Sequence, residues 1–577
     1  MNNRCYSVLQ CVHEDKNATQ RMIAEKTQLS LGLVNKCVKY LKNEGLINED
    51  NSLSEYGLSL INTKKPANAI ILAAGYGMRM IPINSQVPKP LLTIKGEVLI
   101  ERLIRQLNEK GITDITVICG FMKERFEYLI DEFNIKLVYN KDYAGKNNLF
   151  SLNKAVDKIN NTYIMPADIY CNENPFSSYE MNTWYLLNDD YDENSKVRLN
   201  SRGYISKCVA NGNKEIGIAF ISGEDSAALI NKVKELVEKN DEEAFWEKAL
   251  FNCGIRVYGK IDNNVLEINT YEDLRELDSN SNQLKSSAID EICSVFNVTN
   301  DEVKNITVLK KGMTNRSFLF ECKGKKYIMR VPGEGTDKLI NRKEEAEVYS
   351  VVKNYDICDN IQYINPSNGY KITEFIENAH CCDAYNYEDV KKCMKRLRGF
   401  HDLKLKVNHE FDIFGLINFY ETLWEGIPSE YKDYELTKEK VFTLKKYIDE
   451  HTGEKYLTHI DAVPDNFLIH ETEKGEDIRL IDWEYAGMQD QNVDIAMFAI
   501  YACYDRPDVE KLIDAYYPEG CSKETRLKIY CYVAACGLLW SNWCEYKRNL
   551  GVEFGEYSLR QYRYAKEYYN IFHEEKD

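Results

Sequence analysis

The period of the hydrophobic positions changes along this chain, and the changes divide it into domains. Over residues 1–64 apolar residues recur at helical spacing. Ala18–Lys26 reads as one helix, and Leu31–Glu44, with Leu33, Val34, Cys37, Val38 and Leu41 on one face, reads as another. Gly45-Leu46-Ile47 then opens a β-wing that Leu53 to Gly57 closes, so the stretch predicts three short helices and a wing. Beyond the linker Lys64-Lys65-Pro66, Asn68 leads into an unbroken apolar run from Ala69 to Ala74, as expected of a parallel strand buried on both faces. Helix Val98–Lys110, strand Ile115–Cys119, helix Lys123–Phe133 and strands Lys136–Tyr139 and Tyr163–Met165 follow, predicting a doubly wound α/β domain. Polar Ser279–Gln283 separates this domain from a third. There Ile306 to Val331 reads as strand, glycine turn, strand, turn and strand, and the remainder as mostly helical, an α+β order. The expected architecture is multidomain α/β, with domains at 1–64, 65–280 and 286–577 and no internal repeat.

Composition narrows the compartment and the partners. The 74 basic and 91 acidic residues among 577 give a formal charge of −17, which argues against a general nucleic-acid or anionic-membrane surface and suits a cationic substrate. The 18 cysteines show no C-x2-C spacing, and they read as reduced thiols of a cytoplasmic protein. No apolar run approaches the roughly 18 residues that span a bilayer, and no basic-then-apolar leader opens the chain, so no membrane association is expected.

Two separate segments carry chemistry. Leu72-Ala73-Ala74-Gly75-Tyr76-Gly77-Met78-Arg79 places a glycine turn directly after the buried strand, where backbone N–H groups can approach a triphosphate. Val87-Pro88-Lys89-Pro90 follows it, and Asp168 ends a later strand, beyond whose carboxyl end an α/β sheet presents its ligands. Far downstream, His459-Ile460-Asp461 with Asn466 reproduces the spacing of a kinase catalytic loop, and Asp482 follows the apolar Ile478 to Ile481. Lys311 to Asn315 is placed to cover ATP phosphates. Arg330 stands where protein kinases keep lysine, Glu345 or Glu347 is its expected partner, and Thr373-Glu374 resembles the hinge that receives adenine.

These motifs carry resemblances. Residues 1–64 resemble the winged helix-turn-helix of bacterial regulators, whose second helix enters DNA; Lys36, Lys39 and Lys42 are placed to meet phosphates, and self-association or regulation is the other reading. Residues 67–278 resemble the nucleotidyltransferases, and through Tyr143 to Leu152, Asn182 to Tyr191 and Phe245-Trp246 the bacterial choline-phosphate cytidylyltransferases. That resemblance implies that Arg79 holds the leaving pyrophosphate, Lys89 neutralises the reacting phosphate and Asp168 binds magnesium. The second metal position falls on Asn269, so Asn269 binds as a neutral ligand, Glu267 substitutes, or substrate oxygens complete the shell. Trp184, Trp246 and Asp189 or Asp190 are the candidates for holding a trimethylammonium group, which needs aromatic faces and carboxylates.

Residues 306–550 resemble the choline and ethanolamine kinases of the aminoglycoside phosphotransferase fold. Asp461 then orients the attacking hydroxyl, Asn466 and Asp482 bind magnesium, and Glu484, Tyr485, Trp540 and Trp543 surround the amine. Together the resemblances imply ATP-dependent phosphorylation of choline followed by CTP-dependent cytidylyl transfer to phosphocholine, with Mg2+ at both sites. The alternatives are the same chemistry on ethanolamine, an aminoethylphosphonate or a sugar phosphate, or a metabolite-sensing DNA-binding regulator.

Overall fold

The unbroken apolar run after the first linker forms a strand, β1 (Asn68–Ala73), whose alternate side chains feed two cores. Ala69, Ile71 and Ala73 enter one and Ile70 and Leu72 the other, because a strand with helices on both faces has no solvent side. The computed structural model describes the chain apart from residues 1, 2, 76, 78, 79, 81, 84–86, 280, 282, 283, 310–314, 334, 335, 337, 338, 474, 550–553 and 577. It divides into two units, residues 1–289 and 290–577.

In the first unit β1 joins β2 (Ile115–Cys119), β3 (Lys136–Tyr139), β4 (Thr162–Pro166), β5 (Trp184–Asp192), β6 (Gly212–Ile221) and β7 (Tyr258–Ile261). Their order across the sheet is β7-β5-β6-β4-β1-β2-β3, with β6 antiparallel to both its neighbours and the other pairings parallel. The parallel strands β1 and β4 therefore deliver Gly75 and Asp168, each two residues past its strand, at the same edge of the sheet.

Ahead of the sheet lie α1 (Asn3–Glu14), α2 (Gln20–Thr27), α3 (Leu31–Asn43) and α4 (Glu55–Thr63). The fourth helix corrects the expected wing, which is reduced to one bridge between Ile47 and Leu53. Ser54 caps α4 by accepting from Gly57 N–H, and a Cβ on Gly57 would stand 2.0 Å from the Leu46 carbonyl oxygen, so the helix can approach the wing only through glycine. The winged helix is docked on its own unit: the His13 ring meets the Tyr179 hydroxyl at 3.0 Å and Gln10 donates to Ser177 at 3.4 Å.

The second unit opens with an antiparallel sheet of β8 (Lys304–Val308), β9 (Asn315–Cys322), β10 (Lys325–Pro332), β11 (Ile361–Ile364) and β12 (Lys371–Glu374), in the order β8-β9-β10-β12-β11. Helix α5 (Arg342–Val352) follows β10. The rest is mostly helical and includes α6 (Tyr387–His401), α7 (Asn492–Tyr501), α8 (Arg506–Tyr516), α9 (Lys523–Asn549) and α10 (Glu556–Lys576). Helix α9 is buried without interruption from Leu527 to Lys547, so helices and loops surround it and its face cannot be read from polarity alone. Among the described residues no helix is long and apolar enough to cross a membrane.

Candidate active sites

At the sheet edge of the first unit, Lys89 is buried and its Nζ donates to Asp168 Oδ2 at 2.5 Å and to Asn269 Oδ1 at 3.3 Å. Three residues separated by up to 180 positions thus meet at one ammonium. Gly77 lies over Lys89 with φ +60, and a Cβ there would come within 3.0 Å of the Lys89 Cβ, so the turn needs glycine at this position. Gly75 is exposed at the same turn; Leu72, Ala73 and Ala74, also expected at the nucleotide, are buried at the strand end. Arg79 lies outside the described residues.

Asp168 Oδ1 is buried with no hydrogen-bond partner, an oxygen whose desolvation a cation would offset. Asn269 reaches this point through its side-chain oxygen. The backbone N–H of Asn269 is held by Asp273, which also closes the capping box of the helix Tyr271–Leu277. Glu267, like Glu215, lends its charge to Glu247. Burial first, then the charges of Glu215 and Glu267, push the Glu247 carboxyl up to about 8, and burial raises Glu215. Glu247 Oε2 is a second buried oxygen without a partner.

The aromatic residues expected here lie elsewhere. Trp184 shares its register with Tyr163 at the start of β4, both facing Phe220. Asp168 is five residues further on, roughly 15 Å at strand rise. Trp184 is 2% exposed and packs in the core on Tyr163, with Lys260 over its ring at 3.8 Å. It therefore stands apart from the Lys89–Asp168 group. Trp246 has no exposed surface; its ring leans on Tyr185 at 6.3 Å, and Asn148 Oδ1 accepts from its backbone N–H at 2.8 Å. It backs the Glu247 cluster from the core. Asp189 and Asp190 are exposed at the far end of β5.

In the second unit a cavity of about 650 Å³ gathers the expected kinase residues: Asn315, Arg330, Glu374, Asp461, Asn466 and Asp482 line it. Tyr485, Trp540 and Trp543 line it too, with Tyr485 edge-on to Trp540 at 5.6 Å and the two tryptophans 6.3 Å apart. Asn466 Nδ2 donates to Asp461 Oδ2 at 2.9 Å. Burial, then the negative charges of Asp482 and Glu484, push Asp461 up to about 8. Asp482 is raised by burial and by Glu484; it sits in the left-handed region at φ +65, and its Oδ1 is buried without a hydrogen bond.

Arg330 grips Glu345 with both nitrogens, at 2.5 and 2.8 Å, which decides between the two glutamates. Glu347 faces His409 and Asn408 instead. Glu345, Asp482 and Glu484 lie close enough to hold a metal, but Arg330 and Arg342 already neutralise two of them. Glu484 lines the same cavity as Tyr485, Trp540 and Trp543, and its Oε2 accepts from Arg342 at 3.0 Å and Asn315 at 2.9 Å. Lys311 to Thr314 lie outside the described residues. Tyr501, Tyr557, Asp465 and buried Lys371 also line the cavity and escaped sequence reasoning. Lys371 pairs with Arg330 across β10 and β12, a register no spacing rule could find.

Family models match this division. A winged helix-turn-helix DNA-binding model covers residues 6–48, a MobA-like NTP transferase domain 69–177, and choline/ethanolamine kinase 306–534. Choline-phosphate cytidylyltransferase of Streptococcus pneumoniae (strain ATCC BAA-255 / R6) is 31% identical over 228 residues, 36% of this chain and 96% of that protein. The 2-aminoethylphosphonate cytidylyltransferase of Lancefieldella rimae is 31% identical over 201 residues, 32% of this chain and 79% of that protein. Among solved structures, choline kinase LicA from Streptococcus pneumoniae is 29% identical with a TM-score of 0.43, over 49% of this chain and 97% of that one. The chain thus belongs, through its central domain, to the family of the choline-phosphate cytidylyltransferases, and joins to it a winged helix-turn-helix and a choline/ethanolamine kinase domain.

Proposed function

We propose that this chain makes CDP-choline in two steps: ATP phosphorylates choline in the second unit, and CTP then transfers its cytidylyl group to phosphocholine in the first, releasing pyrophosphate. The observation that carries the reading is the aromatic wall of Tyr485, Trp540, Trp543, Tyr501 and Tyr557 in one cavity with Asp461. A quaternary ammonium offers no N–H, so it is held by ring faces. The wall leaves the hydroxyl end of the amine to Asp461, held by Asn466, as the group that orients the attacking oxygen. Asn466 and Asp482 are placed to hold magnesium, which when bound supplies charge neutralisation at the transferred phosphoryl.

In the first unit Lys89 holds the charge of the reacting phosphate, and Asp168 with Asn269 is placed to hold the cation there. The amine end of phosphocholine is assigned to the Glu215, Glu247 and Glu267 cluster, whose mutual repulsion a bound cation relieves. This assignment supports a second reading of that unit alone. Carboxylates without an exposed aromatic face also suit a primary ammonium, as in the substrate that names the L. rimae relative. A phosphonate, however, would make the kinase step unnecessary.

Incubation of the protein with ATP, CTP, magnesium and equal choline, ethanolamine and 2-aminoethylphosphonate, followed by mass identification, tests the reading. CDP-choline as main product supports it; a cytidylylated phosphonate with no phosphocholine would overturn it. The exposed Lys36 and Lys39 of α3 support a DNA-facing role for the winged helix, whereas Lys42 is turned to Glu49 and the wing tip is acidic at Glu49 and Asp50.

A further inference from the structure

We infer that His401 is a positioning residue for phosphoryl transfer, holding the catalytic loop through Asp494. His401 is the last residue of α6, is 3% exposed, and has both ring nitrogens engaged. Nε2 lies 2.9 Å from Asp494 Oδ2, and Nδ1 lies 2.7 Å from the Tyr516 hydroxyl. Asp494, in the first turn of α7, is wholly buried and spends both oxygens on the catalytic loop. Its Oδ2 accepts from His459 N–H at 2.9 Å and its Oδ1 from Ile460 N–H at 2.6 Å. With those oxygens accepting, Nε2 is the donor to Asp494 and Nδ1 accepts the Tyr516 proton.

The strain in the loop explains why such a relay is needed. Ile460 has φ +67, a conformation that a β-branched residue adopts only when its surroundings impose it. The next residue is Asp461, whose carboxyl lies in the cavity beside Asp482. A carboxylate free to rotate would release Ile460 N–H and let the peptide before Asp461 relax. His401 removes that freedom, and Tyr516, from the end of α8, removes the freedom of the imidazole in turn. The relay thus joins α6, α7 and α8 to one strained peptide without touching substrate.

The full chain allows a clean test, because its cytidylyl transfer gives the amount of intact protein independently of the kinase unit. In His401→Leu, kcat for phosphorylating the amine used by the wild type is expected to fall about a hundredfold, as for a displaced catalytic group, with KM for ATP and amine within about threefold. His401→Gln, whose amide can donate to Asp494 and accept from Tyr516, is expected to restore most of the rate. Amide exchange at His459 and Ile460 is expected to quicken in the leucine variant and not in the glutamine variant. That readout needs no substrate, so it separates failure of this inference from failure of the choline assignment. Unchanged kcat and unchanged exchange in His401→Leu would overturn it, as would equal loss in both variants.

Discussion

The two candidate sites solve the same electrostatic problem differently. The kinase cavity concentrates Glu345, Asp461, Asp482 and Glu484 and offsets them with its own buried Arg330 and Arg342, leaving Asp461 and Asp482 raised in the absence of a cation. Among the described residues, the transferase edge sets one carboxylate and one neutral amide on Lys89. A site rich in buried acids depends on an added cation to reach its working charge. A sparse one relies on the substrate's own phosphates and on its lysine.

The largest test separates the halves. Asp461→Asn is expected to lower phosphorylation by about 10²- to 10⁴-fold while cytidylyl transfer to supplied phosphocholine persists, and Asp168→Asn to do the reverse. Loss of both activities in either variant would break the independence of the two sites. Next, Trp540→Ala and Trp543→Ala are each expected to raise KM for choline about tenfold and to affect ethanolamine less, as the loss of a desolvated cation–π contact implies. Equal losses for the two amines would remove the aromatic argument.

A smaller effect probes the sparse site. Asn269→Asp adds a carboxylate beside Asp168, so half-maximal cytidylyl transfer is expected at lower magnesium and the metal-free protein is expected to melt earlier. A metal requirement that does not move would place Asn269 outside the cation shell. The smallest concerns pH. Because Glu247 is raised to about 8 from an ordinary value of 4.5, the folded state holds its proton more tightly, and this group costs stability as pH rises between those values. Glu247→Gln is expected to match wild type near pH 4 in urea unfolding and to exceed it progressively up to about pH 8. A gap that shrinks with rising pH would contradict the buried cluster.

Short-range spacing made much of this legible. His459, Asp461 and Asn466 lie within one loop and Trp540 and Trp543 within one helical turn, so local geometry alone brings them together. Trp184 was singled out by the resemblance of its segment, which does not record strand register, and β5 sets that residue level with Tyr163. The partner of Glu484 was not legible, because Arg342 stands 142 residues away in sequence and 3.0 Å away in space. The cap at Ser54 was readable in principle, since a serine before Glu55 and a helical run is a start signal, but the glycine in that run obscured it.

What the amino-acid sequence by itself determined was the class of each half: buried parallel strand plus glycine turn plus lysine, and catalytic loop plus metal acid, because these chemistries need particular residues at short separations. Only the tertiary structure decided which long-range partners complete each site. Lys371 beside Arg330, Glu247 beside Glu267, and His401 behind Asp494 are products of register and helix packing. Such pairings arise where distant elements bury polar groups that must then find each other, and no local pattern records them.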